Sequence, residues 1–225
     1  LLVDPARVTC GLLDYLGSEV SLVEELNPTT LFKSRKSAED ARHIRRVMEQ
    51  DGAALCEFFA WLDSALGHER VSELTVDAQL TQARKRRPGY VCPSFATIAG
   101  FNANGAMPHY RATEAEHALI EGDGLLLIDS GGQYLGGTTD ITRTVAVGAP
   151  SAAMRDRFTR VLQGHVAIAR MVFPRGTTRA QLDAFARAPP WPAGPDFDPG
   201  TGPGVGAPLD RKSLVQGRRV DRGRR

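Results

Sequence analysis

The segment LLLIDSGGQYLGGTTDITRTVAVG, residues 125–148, leaves a chain few ways to fold. Short apolar and β-branched runs, punctuated by glycine pairs, read as strands joined by tight turns and are met most economically by antiparallel hairpins. Asp129 ends the first run, and Asp140 stands eleven residues later, just past the second glycine pair. A hairpin can therefore return Asp140 alongside Asp129 with both side chains on one face. An ionised carboxylate is costly to bury unless it is paired, hydrogen-bonded or bound to a cation. Two of them where a sheet interior is expected call for a shared partner.

Helical patterns flank this region. Ser37 followed by Asp40 is a capping-box pattern, and behind it Ile44, Val47, Met48, Leu55, Phe58, Phe59, Leu62 and Leu66 recur at steps of three and four, predicting a long amphipathic helix that stops near Gly67. Thr75 to Arg86 predicts a second helix, whose basic end RKRRPG reads as solvated and is closed by Pro88. From Ser94 the pattern changes to strands: SFATIAGF, GAMPHY, GLLLIDS, QYLGG and TTDITRTVAVG. Helical spacing returns from Ser151 through Met154, Phe158, Val161, Leu162 and Val172 to an end at Pro174, and a further short helix follows Thr178. Helices before and after a hairpin sheet predict an α+β fold, with the sheet carrying the site. Residues 1–37 read as strand, helix, strand, too little for a core of their own, and so as the end of a preceding α/β domain with its linker. Seven prolines between Pro189 and Pro208 exclude a central strand or helix there, and residues 207–225 form a basic tail without apolar periodicity.

Charge and cysteine usage narrow the function. The formal net charge is +2, and once the tail is set aside no basic footprint for nucleic acid remains. Cys10, Cys56 and Cys92 are odd in number and lack any CxxC spacing, which argues against a disulfide framework or zinc knuckle and fits a reducing cytoplasm. No apolar run approaches the ~20 residues of a membrane span. The glycine run GTGPGVG, residues 200–206, lacks the lysine of a phosphate loop and the strand-turn-helix setting of a dinucleotide site.

The residues alone leave two readings of the aspartates. Their hard oxygens suit manganese, cobalt or zinc in a hydrolytic centre, where two ions clamp a water or hydroxide as nucleophile. Equally, both aspartates stand beside turn residues and can serve as local hydrogen-bond acceptors. His109, in NGAMPHYR, is either an imidazole facing a cleft or a satisfied structural histidine. His165 reads as packed within an apolar helix face; His43, His68 and His117 read as surface.

Taken together, SFATIAGFNANGAMPHYRAT, LLLIDSGGQYLGGTTDITRTVAVG, FPRGTT and FDPGTGPGVG resemble the Xaa-Pro aminopeptidase branch of the creatinase/prolidase/methionine aminopeptidase family. The resemblance covers residues 38 to about 206. It implies a pita-bread metallopeptidase domain, here its N-terminal part, behind the remnant of a creatinase-type domain. It further implies that Asp129 and Asp140 are the first two carboxylate ligands of a two-ion centre, usually manganese, and that His109 lies beside the substrate and shuttles protons. The implied reaction is hydrolysis of the bond between an N-terminal residue and a following proline, by a cytoplasmic enzyme that is homodimeric at full length.

The departures matter as much. Pro199 and Pro203 stand where the family carries a substrate-side and a metal-binding histidine, and two downstream glutamate ligands are missing. Proline offers a metal no lone pair. Histidine and leucine codons each lie one base from proline codons, so the chain reads as a truncated or frame-shifted gene product, inactive as written. A non-catalytic pita-bread binding module and a prolidase-type dipeptidase are the alternatives.

Overall fold

The computed structural model describes residues 1–5, 7–174 and 177–194. Pro199, Pro203, the glycine run and the basic tail lie outside them. The chain divides into two compact units, Leu1–Arg42 and the residues from His43 onward. In the first, β1 (Leu2–Val3) pairs in parallel with β2 (Val23–Glu24), and α1 (Cys10–Tyr15) lies between them in sequence. That is the expected strand, helix and strand. A second helix, α2 (Pro28–Ser34), was not anticipated; Asn27 caps it by accepting from the Thr29 N–H at 2.9 Å.

The long helix α3 spans Ala38–Ala65. Its capping box forms as the sequence proposed: Asp40 accepts from the Ser37 N–H at 2.8 Å, and Ser37 Oγ accepts from the Asp40 N–H at 3.1 Å. Gly67, at φ +78°, takes the left-handed conformation that ends the run. α4 (Glu73–Lys85) begins two residues earlier than its apolar spacing suggests, because Ser72 is its N-cap, accepting from the Thr75 N–H at 3.2 Å.

Two three-stranded antiparallel sheets follow. β4 (Ile98–Phe101), β5 (Gly124–Ser130) and β8 (Ile141–Val147) form one, with β5 in the middle; β3 (Tyr90–Pro93), β6 (Gly132–Tyr134) and β7 (Gly137–Thr138) form the other. GAMPHY, expected as a strand, is not one. Residues Asn102–Ala106 instead make a 3-10 turn folded back on β4, where a Cβ on Gly100 would meet the Gly105 backbone at 2.6 Å. Only glycine permits that approach.

One face of the β4-β5-β8 sheet carries the core. Phe58 and Leu62 of α3, Val76 and Leu80 of α4, Leu126 and Ile128 of β5, and Ile141 and Val147 of β8 belong to a single buried cluster. β5 shows the two-residue period plainly: Leu126, Ile128 and Ser130 are buried, while Leu125, Leu127 and Asp129 on its other face are half-buried.

The apolar stripe of α3 contains a residue that apolar spacing skips. Asp51, four residues from both Val47 and Leu55, is wholly buried and receives Arg84 Nε at 2.7 Å, an Arg84 terminal nitrogen at 3.2 Å and the Tyr134 hydroxyl at 2.7 Å. Arg84 is therefore not part of a solvated helix end as expected; Arg86 and Arg87 are held at the surface side by Glu57. Burial and the Asp51 contact push the Tyr134 phenol upward, which keeps it a donor. α5 (Ala152–Arg170) is capped by Ser151 and α6 (Arg179–Arg187) by Thr178 with Gln181. The expected apolar face of α5 is not a core face among the described residues. Phe158, Val161 and Leu162 are about half exposed and His165 is exposed, since only Gly164 is buried, where it meets Ala186 of α6.

Candidate metal centre

Asp129 lies near the end of β5 and Asp140 directly before its partner strand β8, joined by a more elaborate route than a plain hairpin. Beyond Ser130, Gly131 passes the chain from β5 into β6; a tight turn at Leu135 and Gly136 returns it as β7, and Thr139 and Asp140 lead it into β8. Asp129 is paired with Thr142 across the strands, and the register stops at Ser130 with Ile141. Thr139 is buried, Asp140 exposed, Ile141 buried and Thr142 exposed, so alternation places Asp140 on the side of Thr142 and Asp129. Thr142 Oγ1 donates to Asp129 Oδ1 at 2.9 Å.

The junction between these two aspartates is tightly fixed. Ser94 Oγ donates to the Thr139 carbonyl at 2.8 Å, and its N–H donates to the Gly131 carbonyl at 3.1 Å. Gly132 N–H donates to Thr139 Oγ1 at 2.8 Å, and Thr139 N–H returns to the Gly132 carbonyl at 2.9 Å. A Cβ on Gly131 would come within 2.0 Å of the Thr139 carbonyl oxygen, so no other residue fits there without moving the peptide that carries Asp140. Ser94 and Thr139 went unnoticed in the sequence. Their importance depends on a meeting across 45 residues that no local pattern announces.

The premise that the aspartates lie in a sheet interior needs correcting. Asp129 is half-buried and Asp140 exposed, because the buried side of β5 is the opposite one, under α3 and α4. Two hard carboxylates on one accessible sheet face suit a divalent cation in chemistry, and they supply part of a site. Among the described residues no group of three or more histidine, cysteine or acidic side chains is placed to hold a metal ion.

His109 is exposed, in the loop after the 3-10 turn, with a left-handed backbone at φ +61°. That turn lies over the Asp129 side of β5: a Cβ on Gly105 would meet the Leu127 side chain at 3.3 Å. His43, His68 and His117 are exposed as expected.

A sequence profile of metallopeptidase family M24 matches residues 42–223. The chain belongs to metallopeptidase family M24. It is 41% identical over 197 residues to a protein of Arthroderma gypseum named probable Xaa-Pro aminopeptidase P, covering 87% of this chain and 31% of that one. Aminopeptidase P2 of Arabidopsis thaliana is 41% identical over 185 residues, covering 82% of this chain and 26% of its own. The crystal structure of an X-prolyl aminopeptidase from Caenorhabditis elegans, described as a cytosolic enzyme with a di-nuclear active site, superposes with a TM-score of 0.81 at 33% identity, over 88% of this chain and 32% of that one. The α+β architecture is thus the pita-bread fold of the M24 family, and this chain spans about a third of the length of such relatives.

Proposed function

We propose that this M24 chain contributes Asp129 and Asp140 to a two-ion metal centre and His109 to the substrate side of an Xaa-Pro aminopeptidase, acting on peptides with proline in the second position. The reading is carried by Asp129 on β5 and Asp140 directly before β8, which alternation puts on the same accessible side, with the turn leading to His109 over that side of β5. The naming of the similar proteins supports the substrate class. Residues 1–37 are read as the end of a preceding domain with its linker; a contact boundary after Arg42 and a profile match that starts at residue 42 support that reading. A cytoplasmic setting is in keeping with the cytosolic neighbour.

Divalent ions, manganese first and cobalt or zinc as alternatives, would supply charge stabilisation at the scissile carbonyl and acidify a water. Asp129 would hold an ion with the lone pairs that Thr142 leaves open, and Asp140 would hold it from the next position on the same face. His109 would donate to the reacting peptide group and move a proton there, as departure of the proline nitrogen requires.

The chain as written should hydrolyse no Xaa-Pro peptide, so the test uses a full-length protein in which the missing histidine and glutamate ligands are restored. Manganese should raise its thermal stability, and an Xaa-Pro-Pro peptide should release its N-terminal residue in a chelator-sensitive way. Asp140→Asn keeps a side-chain oxygen for local hydrogen bonds but removes the charge, so both effects should disappear. His109→Ala should retain the manganese shift and lose turnover. Retention of both effects in Asp140→Asn would make the carboxylates turn residues.

A further inference from the structure

Glu73 has no exposed surface, and its side-chain hydrogen bonds go to one stretch of chain. Its N–H donates to the Ala118 carbonyl at 3.1 Å. Oε1 accepts from the Phe101 N–H at 2.8 Å and from Asn104 Nδ2 at 3.0 Å. Oε2 accepts from the Tyr110 hydroxyl at 2.7 Å and the Ala118 N–H at 2.8 Å. Asn104 Nδ2 also donates to the Tyr110 oxygen at 3.0 Å. One carboxylate on the first turn of α4 therefore fastens residues 101–118 at both ends and at two points between. Most of that stretch lies outside the named strands, so these bonds replace the ladder that would otherwise fix it. Burial, with Glu73 beside it, pushes the Tyr110 phenol up to about 12 and keeps it a donor.

His109 precedes Tyr110 directly, and its φ of +61° is a conformation that a residue with a Cβ holds only where its surroundings impose it. We infer that Glu73 is a positioning residue for His109, gripping Tyr110 and Asn104 so that the imidazole is presented in a fixed orientation on the substrate side. This rests on the function proposed above. Glu73 touches no substrate in this scheme. Its carboxylate is used because four donor groups converge on two oxygens, which an amide cannot serve: a glutamine Nε2 would face at least two of the donors with a donor.

The experiment compares Glu73→Gln and Tyr110→Phe with the otherwise unaltered full-length, ligand-restored protein by amide hydrogen exchange, manganese-dependent thermal shift and steady-state kinetics. Glu73→Gln should speed exchange in residues 101–118 by about tenfold to a hundredfold, leaving the α3 and α5 amides unchanged. It should lower kcat by about tenfold or more, with KM and the manganese shift close to those of the unaltered protein, since displacement of a reacting group by about 1 Å is costly in turnover. Tyr110→Phe removes one hydroxyl and should act in the same direction more weakly. Exchange in 101–118 that stays unchanged in Glu73→Gln, or a manganese shift that falls in step with kcat, would overturn the inference. If Glu73→Gln does not fold, Tyr110→Phe decides, and an unchanged kcat there overturns it. Absence of turnover in the manganese-loaded, ligand-restored full-length protein would instead overturn the proposed function and with it the catalytic half of the inference; exchange then still decides whether Glu73 holds the segment.

Discussion

Replacing Asp51 by asparagine removes a charge without removing volume, at the point where α3, α4 and β6 are tied together. Asp51 is 0% exposed, Arg84 2% and Tyr134 1%, so the guanidinium left behind has no water to turn to. Breaking a buried ion pair from one side costs about 3–5 kcal/mol, because the surviving charge is uncompensated. Against a total stability of about 5–15 kcal/mol, that is a large share. For a domain of this size it corresponds to a fall in Tm of about 6–20 °C. Tyr134→Phe removes one donor and leaves the ion pair whole, so it should cost only about 1 kcal/mol. The triple change Asp51→Leu, Arg84→Met and Tyr134→Phe takes out all the polar partners together and should recover most of the loss, since packed apolar side chains often replace a buried pair without penalty. Thermal melts followed by circular dichroism on the four proteins measure the series. The reasoning fails if Asp51→Asn melts within about 2 °C of the unaltered chain, or if the triple variant is no more stable than Asp51→Asn.

Other expectations can be checked the same way. Gly131→Ala, whose Cβ would sit 2.0 Å from the Thr139 carbonyl, should cost about 1–3 kcal/mol by overpacking and weaken manganese binding by displacing Asp140; a metal titration with unaltered midpoint would contradict it. Alkaline pH gives a signed test. Tyr110 holds its proton to about 12 in the folded chain but releases it near 10 when unfolded, so its stabilisation is complete below pH 10 and is lost as pH rises from 10 toward 12. Urea midpoints should fall over that window and fall less in Tyr110→Phe; parallel curves would refute the assignment. Finally, Asp129→Asn should match Asp140→Asn in losing the manganese-dependent stabilisation, which at a hundredfold excess of ion over Kd is about 2.7 kcal/mol.

Local physics is written openly in this sequence. Ser37 with Asp40, Ser151, Thr178 and Gly67 mark helix ends because each satisfies or ends the chain's own neighbouring peptide groups, and the apolar steps of α3 show which side it buries. The glycine pairs around QYL set the strand boundaries, and the order of motifs carried the family. What stayed hidden depends on partners far away in sequence. Asp51 looks like a charge on a helix until Arg84 and Tyr134 arrive from 33 and 83 residues on, and Glu73 gains its meaning only when residues 101–118 close over it. The accessible setting of Asp129 and Asp140 was equally beyond a strand pattern, which gives two faces by alternation but does not say which one the helices will cover. α5 failed for the same reason in reverse, its spacing marking an apolar face with no described element to bury most of it. Periodicity and capping are properties of neighbours along the chain; burial, ion pairing and the convergence of a site are properties of neighbours in space, and the tertiary fold alone assigns them.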